Sequence, residues 1–277
     1  MKGKKVLFML GLVGMMGMSV VGCGSKQSVD KENTTEEEKE KKQETTDDHV
    51  YKDAYTVDCD TDLICHDYWF DAGVNAIMEK YDTTRQNEII FYGPSNFARW
   101  TTMDEDMSEY KVQNHAFGGS TDVELVGYAP KILFPYNPSV VFFQTGSNDY
   151  VQQEGTDAEK IEKCMNYKKA MFADFHAQMP DAKFVVMSGL LLPGRSEYVD
   201  MTIALNEQLE KLASETDYIY YVDANAMTYD GSTFREDLFE DDMIHLNHDG
   251  QMTWYNNYIK TAIEQVIKEN GMDYLRK

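Results

Sequence analysis

The sequence predicts an α/β protein, a three-layer α/β/α sandwich built on a parallel sheet of about five strands. Two observations lead to this prediction. Short runs of apolar, β-branched and aromatic residues recur along the chain, and turn residues bound each run, as in buried strands. Stretches with the apolar spacing of a helix lie between these runs, and strands that alternate with helices form right-handed βαβ units. One α/β domain of ordinary size accounts for residues 50–277.

The predicted elements follow one another in a regular order. The strand segments are EIIFYG at 88–93, YKVQNHAFG at 110–118, SVVFFQTG at 139–146, KFVVMSGL at 183–190 and YIYYVDAN at 218–225. The helical segments lie at about 67–80, 121–134, 157–179, 198–214 and 250–268. Because all strands of such a sheet run the same way, their carboxyl ends share one edge, and ligands bind outside that edge.

The first 23 residues have the layout of an export signal. Lysines precede an uncharged apolar run of about fifteen residues, which is too short for a stable transmembrane helix. The segment Val20-Val21-Gly22-Cys23 looks like a bacterial lipobox, in which Cys23 becomes the lipidated first residue of the mature protein. An ordinary signal peptide with an incidental cysteine is the alternative. The sequence therefore predicts a signal peptide at 1–23 and an exported lipoprotein anchored to the outer face of the bacterial cell membrane.

The next segment, residues 24–49, contains no aromatic residue and Val29 as its one aliphatic residue. It cannot bury enough apolar surface to offset its chain entropy, so we expect a disordered, charged tether. Beyond it, Cys59 and Cys65 are close enough in sequence for a small disulfide loop, and free buried thiols are the alternative. Cys164 lies in a polar helical pattern without a nearby histidine, so we do not expect it to be catalytic.

The composition limits the partners of the chain. Lysine and arginine total 26 against 48 aspartates and glutamates, which gives a formal net charge of −22. Such a domain repels phosphate backbones and anionic headgroups, so we expect neither nucleic-acid binding nor adsorption to anionic lipid by charge. The substrate is expected to be neutral or cationic.

Polar or glycine residues follow several of the predicted strands. Ser95 follows the first strand, Gly118-Gly119 end the second, and Asn148 follows the third. Asp242 and His245 lie in the loop after the fifth strand. Since the carboxyl ends of parallel strands meet at one edge, we expect these residues to converge there.

Together these residue types supply what acyl transfer to a serine needs. A nucleophile requires a base, the base requires an orienting group, and the oxyanion requires amide donors. Asp242 and His245 are three residues apart, so the carboxylate can accept from Nδ1 and leave Nε2 facing Ser95. The amide of Ser95, a tight backbone at Gly119 and the side chain of Asn148 are the candidate donors. The alternatives are that Ser95 caps a helix and that the glycines and Asn148 close turns.

The ordered set of motifs resembles a known family. Ser95 in FYGPSNFARW, Gly119 in NHAFGGST, Asn148 in TGSNDY, and Asp242 with His245 in a final D-x-x-H are similar to the SGNH hydrolases, also called GDSL-type esterases and lipases. The resemblance covers residues from about 67 to 270 and implies the flavodoxin-like SGNH hydrolase fold. It implies two-step ester hydrolysis through an acyl-serine, without a metal or organic cofactor. Ser95 would be the nucleophile, His245 the general base and then acid, and Asp242 the orienting carboxylate, with Ser95, Gly119 and Asn148 forming the oxyanion hole.

The chain differs from the usual family pattern at two positions, and it lacks the motifs of two other families. Pro94 stands where the family often has aspartate or serine, and His115 where close relatives often have arginine. The α/β-hydrolase elbow requires glycine two residues after the nucleophile, where this chain has Phe97. Neither FYGPSNF nor HAFGGST supplies the G-x-G-x-x-G of a dinucleotide site. A metal site at His245 and His248 is a further alternative, although we expect His248 to be a surface residue.

The substrate predicted from these features is a short-chain ester or an O-acylated carbohydrate such as an acetyl ester. The alternatives are a lipase or lysophospholipase acting on lipid esters, and a surface binding lipoprotein that retains the fold without turnover. Four aromatic residues flank the motifs and line either the substrate pocket or the core. These residues are Trp100, Phe117, Tyr128 and Tyr150.

Overall fold

The computed structural model describes residues 70–144, 147–151 and 153–277. The predicted signal peptide, Cys23, the tether at 24–49 and the pair Cys59 and Cys65 lie outside the described residues. Within the described ranges, no helix combines the length and apolar character needed to cross a membrane.

The sheet has five strands, all parallel, in the order β2-β1-β3-β4-β5. In the first register, Ile89 lies opposite Val112 on one side and Val140 on the other. The strands are β1 at Ile89–Tyr92, β2 at Val112–Asn114, β3 at Val140–Gln144, β4 at Lys183–Met187 and β5 at Ile219–Val222. Each lies inside a predicted strand segment, so the predicted parallel sheet is confirmed.

The helices occupy the connections between these strands. The α-helices are α1 at Asp71–Lys80, α2 at Ser95–Ala98, α3 at Met103–Asp106, α4 at Asp122–Ile132, α5 at Asp157–Gln178, α6 at Val199–Ser214, α7 at Asn225–Thr228, α8 at His248–Trp254 and α9 at Lys260–Asn270. Short 3₁₀ turns lie at Phe134–Tyr136, Ser147–Asp149, Pro193–Tyr198, Glu236–Leu238 and Asp273–Leu275.

Helices cover both faces of the sheet. Consecutive side chains of a strand point to opposite sides, so each apolar strand contributes to a core on either face. In β3, Val141 and Phe143 pack into a core with α1, α4, α5 and α6. Val140 and Phe142 of the same strand pack into a second core with α8 and α9. The predicted three-layer sandwich is thereby confirmed. Burial of each large apolar side chain contributes roughly 1.5–3 kcal/mol, so both cores stabilise the sheet.

The strand order places two of the loops side by side. The chain leaves β1 for β2 on one side and later returns to β3 on the other side of β1. At such a reversal the loops after the two central strands face each other across a crevice. A Cβ at Gly93 would lie 2.6 Å from the carbonyl oxygen of Gln144, so only glycine allows the end of β1 to approach β3 this closely.

The last helical region differs from the prediction in its start and its continuity. The predicted helix at 250–268 begins at His248, because the side chain of Asn247 caps it by accepting from the amide of Gly250 at 2.9 Å. A π-helical turn at Tyr255–Ile259 separates α8 from α9. The wider turn changes the rotation of α9 relative to α8 without breaking the helix.

Candidate active site

The serine singled out in the sequence lies at the first turn after β1. Ser95 begins α2, and Pro94 precedes it with extended backbone at φ −82° and ψ −154°. Proline lacks an amide, and this position of a helix has no acceptor for one, so little is lost there. The amide of Ala98 donates to the carbonyl of Pro94 at 3.1 Å. Ser95 is therefore not the cap of this helix, and no side chain caps it.

His245 lies between Ser95 and Asp242. Its Nε2 is 2.8 Å from the Oγ of Ser95, and its Nδ1 is 2.6 Å from Oδ2 of Asp242. A carboxylate only accepts, so Nδ1 carries the hydrogen and Nε2 is left to accept from the serine hydroxyl. The structure thus brings together the three residues that the sequence selected, in the order needed to remove a proton from Ser95.

The carboxylate at the end of this chain of contacts is held by several donors. Oδ1 of Asp242 accepts from the amides of Ile244 at 3.0 Å and His245 at 2.9 Å, and Oδ2 is 3.3 Å from Nη1 of Arg99. Partial burial raises the pKa of Asp242, but the hydrogen bonds from His245 and Ile244 outweigh it and hold the pKa well below its usual range. Asp242 is therefore ionised at neutral pH.

A tight turn shapes the D-x-x-H segment. The amide of Glu240 donates to the carbonyl of His245 at 2.8 Å, and the amide of Met243 donates to the carbonyl of Glu240 at 2.9 Å. Met243 adopts a left-handed conformation at φ 56°, which is uncommon for a side chain of this size. The turn places both functional side chains on one side, as their spacing predicted.

Asn96 holds the histidine loop from the other side of the site. It is buried, its Oδ1 accepts from the amide of Leu246 at 2.9 Å, and its Nδ2 donates to the carbonyl of Ile244 at 3.4 Å. These two residues flank His245 in sequence. Asn96 thus links the serine turn to the histidine loop, a role that sequence analysis missed because a single asparagine after a serine carries no pattern.

The loops that carry the candidate oxyanion donors meet near Ser95. A Cβ at Gly118 would lie 3.8 Å from the Cβ of Ser95, so this loop passes directly against the serine. Gly119 adopts φ 87°, a conformation that favours glycine. Nδ2 of Asn148 donates to the carbonyl of Ser120 at 3.1 Å, which joins the loops that follow β2 and β3. Gly118, the neighbour of Gly119, thus lies against Ser95, and Asn148 lines the same cleft as Ser95. That the amide of Gly119 faces this cleft stays a prediction.

A small cleft opens beside the serine. It encloses about 330 Å³ of empty space, including some open to solvent. Most of its lining is polar, with apolar surface from Leu190 and Leu192. The lining residues are Pro94, Ser95, Asn96, Gln144, Ser147, Asn148, Leu190, Leu192, Arg195 and Ile244.

Arg195 is a residue of this cleft that the sequence did not indicate. Its guanidinium donates to the Oγ of Ser147 and, through both terminal nitrogens, to Oδ1 of Asn148 at 3.3 Å each. Among the described residues, no carboxylate forms an ion pair with it. The loop after β4 carried no motif, so only its position at the active edge of the sheet was available as a signal.

A buried cluster of charges includes Asp149, the residue after Asn148. Nζ of Lys168 is 2.5 Å from Oδ2 of Asp122 and 3.8 Å from Oδ2 of Asp149, and all three side chains are almost inaccessible. Oδ1 of Asp149 also accepts from the amide of Asp122 at 2.7 Å. Burial and the charge of Asp122 raise the pKa of Asp149 to about 7. Burial lowers the pKa of Lys168, but the two carboxylates outweigh this and raise it.

The aromatic residues that flank the motifs lie in the hydrophobic core. The four flanking aromatic residues, Trp100, Phe117, Tyr128 and Tyr150, are at most 3% exposed and belong to the core rather than to a pocket.

Two further side chains are buried without access to the site. His115 lies inside the fold, where burial lowers its pKa to about 3. Burial raises the pKa of the Cys164 thiol to about 12, so it is not a thiolate at neutral pH.

His248 lies on the surface at the start of α8, as predicted, with its Nδ1 3.8 Å from Oδ2 of Asp106. In the part of the chain that the structure describes, no group of three or more histidine, cysteine, aspartate or glutamate side chains is placed to hold a metal ion.

Comparison with known proteins identifies the relatives of the chain. The model of the GDSL-like lipase/acylhydrolase family matches residues 77–252. A proposed acylhydrolase from Bacteroides fragilis superposes with a TM-score of 0.59 at 15% identity, covering 73% of this chain and 100% of its own. A GDSL-like lipase from Bacteroides thetaiotaomicron gives 0.52 at 16% identity, covering 71% and 96%. A carbohydrate esterase family 3 protein from Talaromyces cellulolyticus gives 0.50 at 15%, covering 66% and 99%. No curated protein sequence gives a significant match.

Proposed function

The chain belongs to the GDSL-like lipase/acylhydrolase family of ester hydrolases, and we propose that it cleaves carboxylic esters through an acyl-serine intermediate on Ser95. One observation carries this proposal. His245 makes one hydrogen bond to the Oγ of Ser95 and another to Asp242, which is the arrangement that activates a serine for attack on a carbonyl. A binding protein has no need of such an arrangement.

The first step forms the acyl-enzyme. Nε2 of His245 takes the hydroxyl proton as the Oγ of Ser95 attacks the ester carbonyl. The negative charge on the carbonyl oxygen is stabilised by the backbone amides of Ser95 and Gly119 and by Nδ2 of Asn148. His245 then gives its proton to the alcohol oxygen, the ester C–O bond breaks, and the alcohol leaves. Asp242 stays ionised throughout and stabilises the imidazolium.

The second step returns the enzyme. Water replaces the alcohol, His245 takes one proton from it, and the resulting hydroxide attacks the acyl carbon. The second oxyanion faces the same donors, and its collapse releases a carboxylic acid as His245 returns the proton to Ser95. The proton that leaves Ser95 departs with the alcohol, and a proton from water replaces it, so the balanced reaction consumes only ester and water.

For the substrate we propose a short acyl group, such as acetyl, on a carbohydrate. The cleft beside Ser95 is small and mainly polar, with Leu190 and Leu192 as its main apolar lining. A long acyl chain gains about 0.8 kcal/mol for each CH₂ that it buries, which needs more apolar surface than this cleft offers. The net charge of −22 also disfavours anionic lipid surfaces. A carbohydrate esterase family 3 protein has a similar fold, which supports this proposal.

The location that we propose is the outer face of a bacterial membrane, with lipid attached at Cys23 and the domain carried on the tether at 24–49. Its support is the sequence alone, through the lipobox-like segment before Cys23. An enzyme placed there meets wall-bound and diffusible esters, which agrees with an acylated carbohydrate substrate. If Cys23 is the lipidated residue, both globomycin treatment and Cys23→Ala are expected to leave the precursor uncleaved and larger on a gel. An unchanged gel mobility would contradict the assignment.

The test of the catalytic proposal compares Ser95→Ala with Ser214→Ala, a matched substitution at an exposed serine far along the chain. With 4-nitrophenyl acetate as substrate, Ser95→Ala is expected to lower kcat by about 10⁴-fold or more, because it removes the nucleophile. Ser214→Ala is expected to stay within about twofold of the unsubstituted chain. Retained turnover in Ser95→Ala, or labelling of another residue by a serine-reactive phosphonate, would overturn the assignment.

The substrate class is tested on the same protein. Hydrolysis is expected to fall from acetyl to butyryl to octanoyl esters of 4-nitrophenol, and acetylated xylan is expected to release acetate. Faster turnover of the octanoyl ester, or release of fatty acid from lysophosphatidylcholine, would instead favour the lipid-ester alternative. Absence of turnover on every ester would favour the binding lipoprotein.

A further inference from the structure

The side-chain amide of Asn148 has a partner at each end. Its Oδ1 lies in the fork of Arg195, 3.3 Å from both terminal nitrogens. Its Nδ2 donates to the carbonyl of Ser120 at 3.1 Å. Asparagine oxygen and nitrogen have similar shapes, so the orientation of the amide is decided by what surrounds it.

The two partners permit one orientation. A guanidinium has only donors and a carbonyl has only acceptors. If the amide of Asn148 were reversed, its NH₂ would face the donors of Arg195 and its oxygen would face the carbonyl of Ser120. In the observed orientation Nδ2 carries two hydrogens and uses one for Ser120. The other has no acceptor among the described residues, and Asn148 lines the same cleft as Ser95.

Arg195 is itself held in place by the backbone around it. Its amide donates to the carbonyl of Leu192 at 3.0 Å, within the 3₁₀ turn at Pro193–Tyr198. The amide of Gly194 donates to the carbonyl of Met243 at 2.8 Å. A Cβ at Gly194 would lie 3.0 Å from the carbonyl oxygens of Asp242 and Met243, so this segment packs tightly against the histidine loop. The position of Arg195 is therefore tied to the loop that carries His245.

The positive charge of Arg195 is not neutralised by a carboxylate within the described chain. Burial lowers its pKa from the usual value, and within the described chain no carboxylate forms an ion pair with it. Its donors go to Ser147 and Asn148 instead. A hydrogen bond from arginine to a neutral amide is weaker than one to a carboxylate. The contact of Arg195 with Asn148 therefore suits a role in orienting the amide.

We propose that Arg195 is a positioning residue of the oxyanion hole: it holds the amide of Asn148 in the orientation that presents Nδ2 to the developing oxyanion. This rests on the proposed function, in which Asn148 is an oxyanion donor. Arg195 acts through Asn148 rather than on the substrate. Substitution of Arg195 therefore affects the transition state more than the binding of the ester.

A double-mutant cycle tests this role. The variants are Arg195→Met, Asn148→Ala and the two combined, with kcat and KM measured on 4-nitrophenyl acetate. Asn148→Ala is expected to lower kcat by about 10²-fold or more, as loss of one oxyanion donor does elsewhere. Arg195→Met is expected to lower kcat by about tenfold or more with KM changed less than twofold. The double variant is expected to match Asn148→Ala, because Arg195 has nothing left to orient.

Arg195→Lys gives a second measurement, and it serves also if Arg195→Met fails to fold. Lysine keeps a donor for Oδ1 of Asn148 but lacks the planar fork, so kcat is expected to lie between those of Arg195→Met and the unsubstituted chain. Additive effects in the cycle, or a rise in KM with kcat unchanged, would overturn the proposal and indicate contact with the substrate. Ser95→Ala is measured alongside. If it loses turnover while the cycle is additive, only the role of Arg195 is wrong; if it retains turnover, the proposed function is wrong as well.

Discussion

Two arrays of charged side chains lie at the same edge of the sheet and differ in their exposure. The first, the relay of Ser95, His245 and Asp242, opens to the surface, with the side chain of Asp242 39% exposed. The second, the buried cluster of Lys168, Asp122 and Asp149, has side chains at most 2% exposed. Each joins carboxylate to a nitrogen base, yet the two surroundings shift carboxylate pKa values in opposite directions.

The opposite shifts have separate causes. Asp242 is surrounded by donors, which hold its pKa below the usual range. Burial and the charge of Asp122 raise the pKa of Asp149 to about 7, because together they outweigh the ammonium of Lys168. The relay is open to solvent at Asp242. The buried cluster instead ties α4, which follows Gly119, to the turn that carries Asn148. We infer that one array sets the chemistry and the other sets where the oxyanion donors stand.

The largest expected effect comes from the relay. Asp242→Asn removes the charge that orients His245 and stabilises its cationic form, so kcat on 4-nitrophenyl acetate is expected to fall by about 10⁴-fold. The thermal midpoint is expected to change by less than about 3 °C, since the side chain is partly exposed. Asp241→Asn, an exposed neighbour, is the control and is expected to leave kcat within about twofold. A tenfold loss or less in Asp242→Asn would show that the relay does not work as proposed.

A smaller effect, on stability rather than activity, is expected in the buried cluster. Lys168→Met leaves two carboxylates buried without a counter-charge, and the free energy of unfolding in urea is expected to fall by about 3–5 kcal/mol. Combining it with Asp122→Asn is expected to recover part of the loss. Lys169→Met, at the exposed neighbouring position, is expected to change stability by no more than about 0.5 kcal/mol. Equal unfolding midpoints for Lys168→Met and Lys169→Met would remove the distinction between the two arrays.

The smallest effect is a pH dependence. A carboxyl group whose pKa is about 7 in the folded chain and about 4 in the unfolded chain stabilises the fold below pH 4 and loses that contribution as pH rises to 7. Asp149→Asn cannot ionise, so the stability of the unsubstituted chain relative to this variant is expected to decrease by about 2 kcal/mol between pH 5 and pH 8. Urea unfolding at each pH measures this. Asp181→Asn, an exposed control, is expected to show no such trend, and a flat difference for Asp149→Asn would contradict the raised pKa.

The sequence predicted the centre of the sheet well because strands β1 and β3 are buried on both faces. The run SVVFFQ is apolar on both faces, which is typical of a strand in the centre of a parallel sheet. The strand at Val140–Gln144 lies within that run. The edge strand Val112–Asn114 is shorter than the segment 110–118 that predicted it, because only these residues pair with β1. The convergence of the loops followed from the parallel direction of the strands.

The proximity of Ser95, Asp242 and His245 was predicted from motifs, whereas residues that reach the site through contacts alone were missed. Ser95 and His245 are 150 residues apart, and family motifs, not spacing, connected them. The role of Arg195 depends on which residue lies across the crevice, which no local pattern encodes. Lys168 did have a signal, since it lies on the apolar stripe of α5 with Cys164, Met165, Met171 and Phe172. A lysine at such a position indicates a buried ion pair. The lipid anchor at Cys23 stays a prediction.

The separation of Ser95 and His245 along the chain has a consequence for dividing the protein. A cut at the exposed turn near Asp217 would leave the proposed nucleophile, Ser95, in one fragment and the proposed base, His245, in the other. The second fragment would begin with β5, which pairs only with β4 within the described sheet, so it could add to the first as a new edge. Neither half alone would hold the relay. Ester cleavage would then appear only when the two fragments reassociate. Esterase activity would therefore measure the assembly of the fold from its two parts.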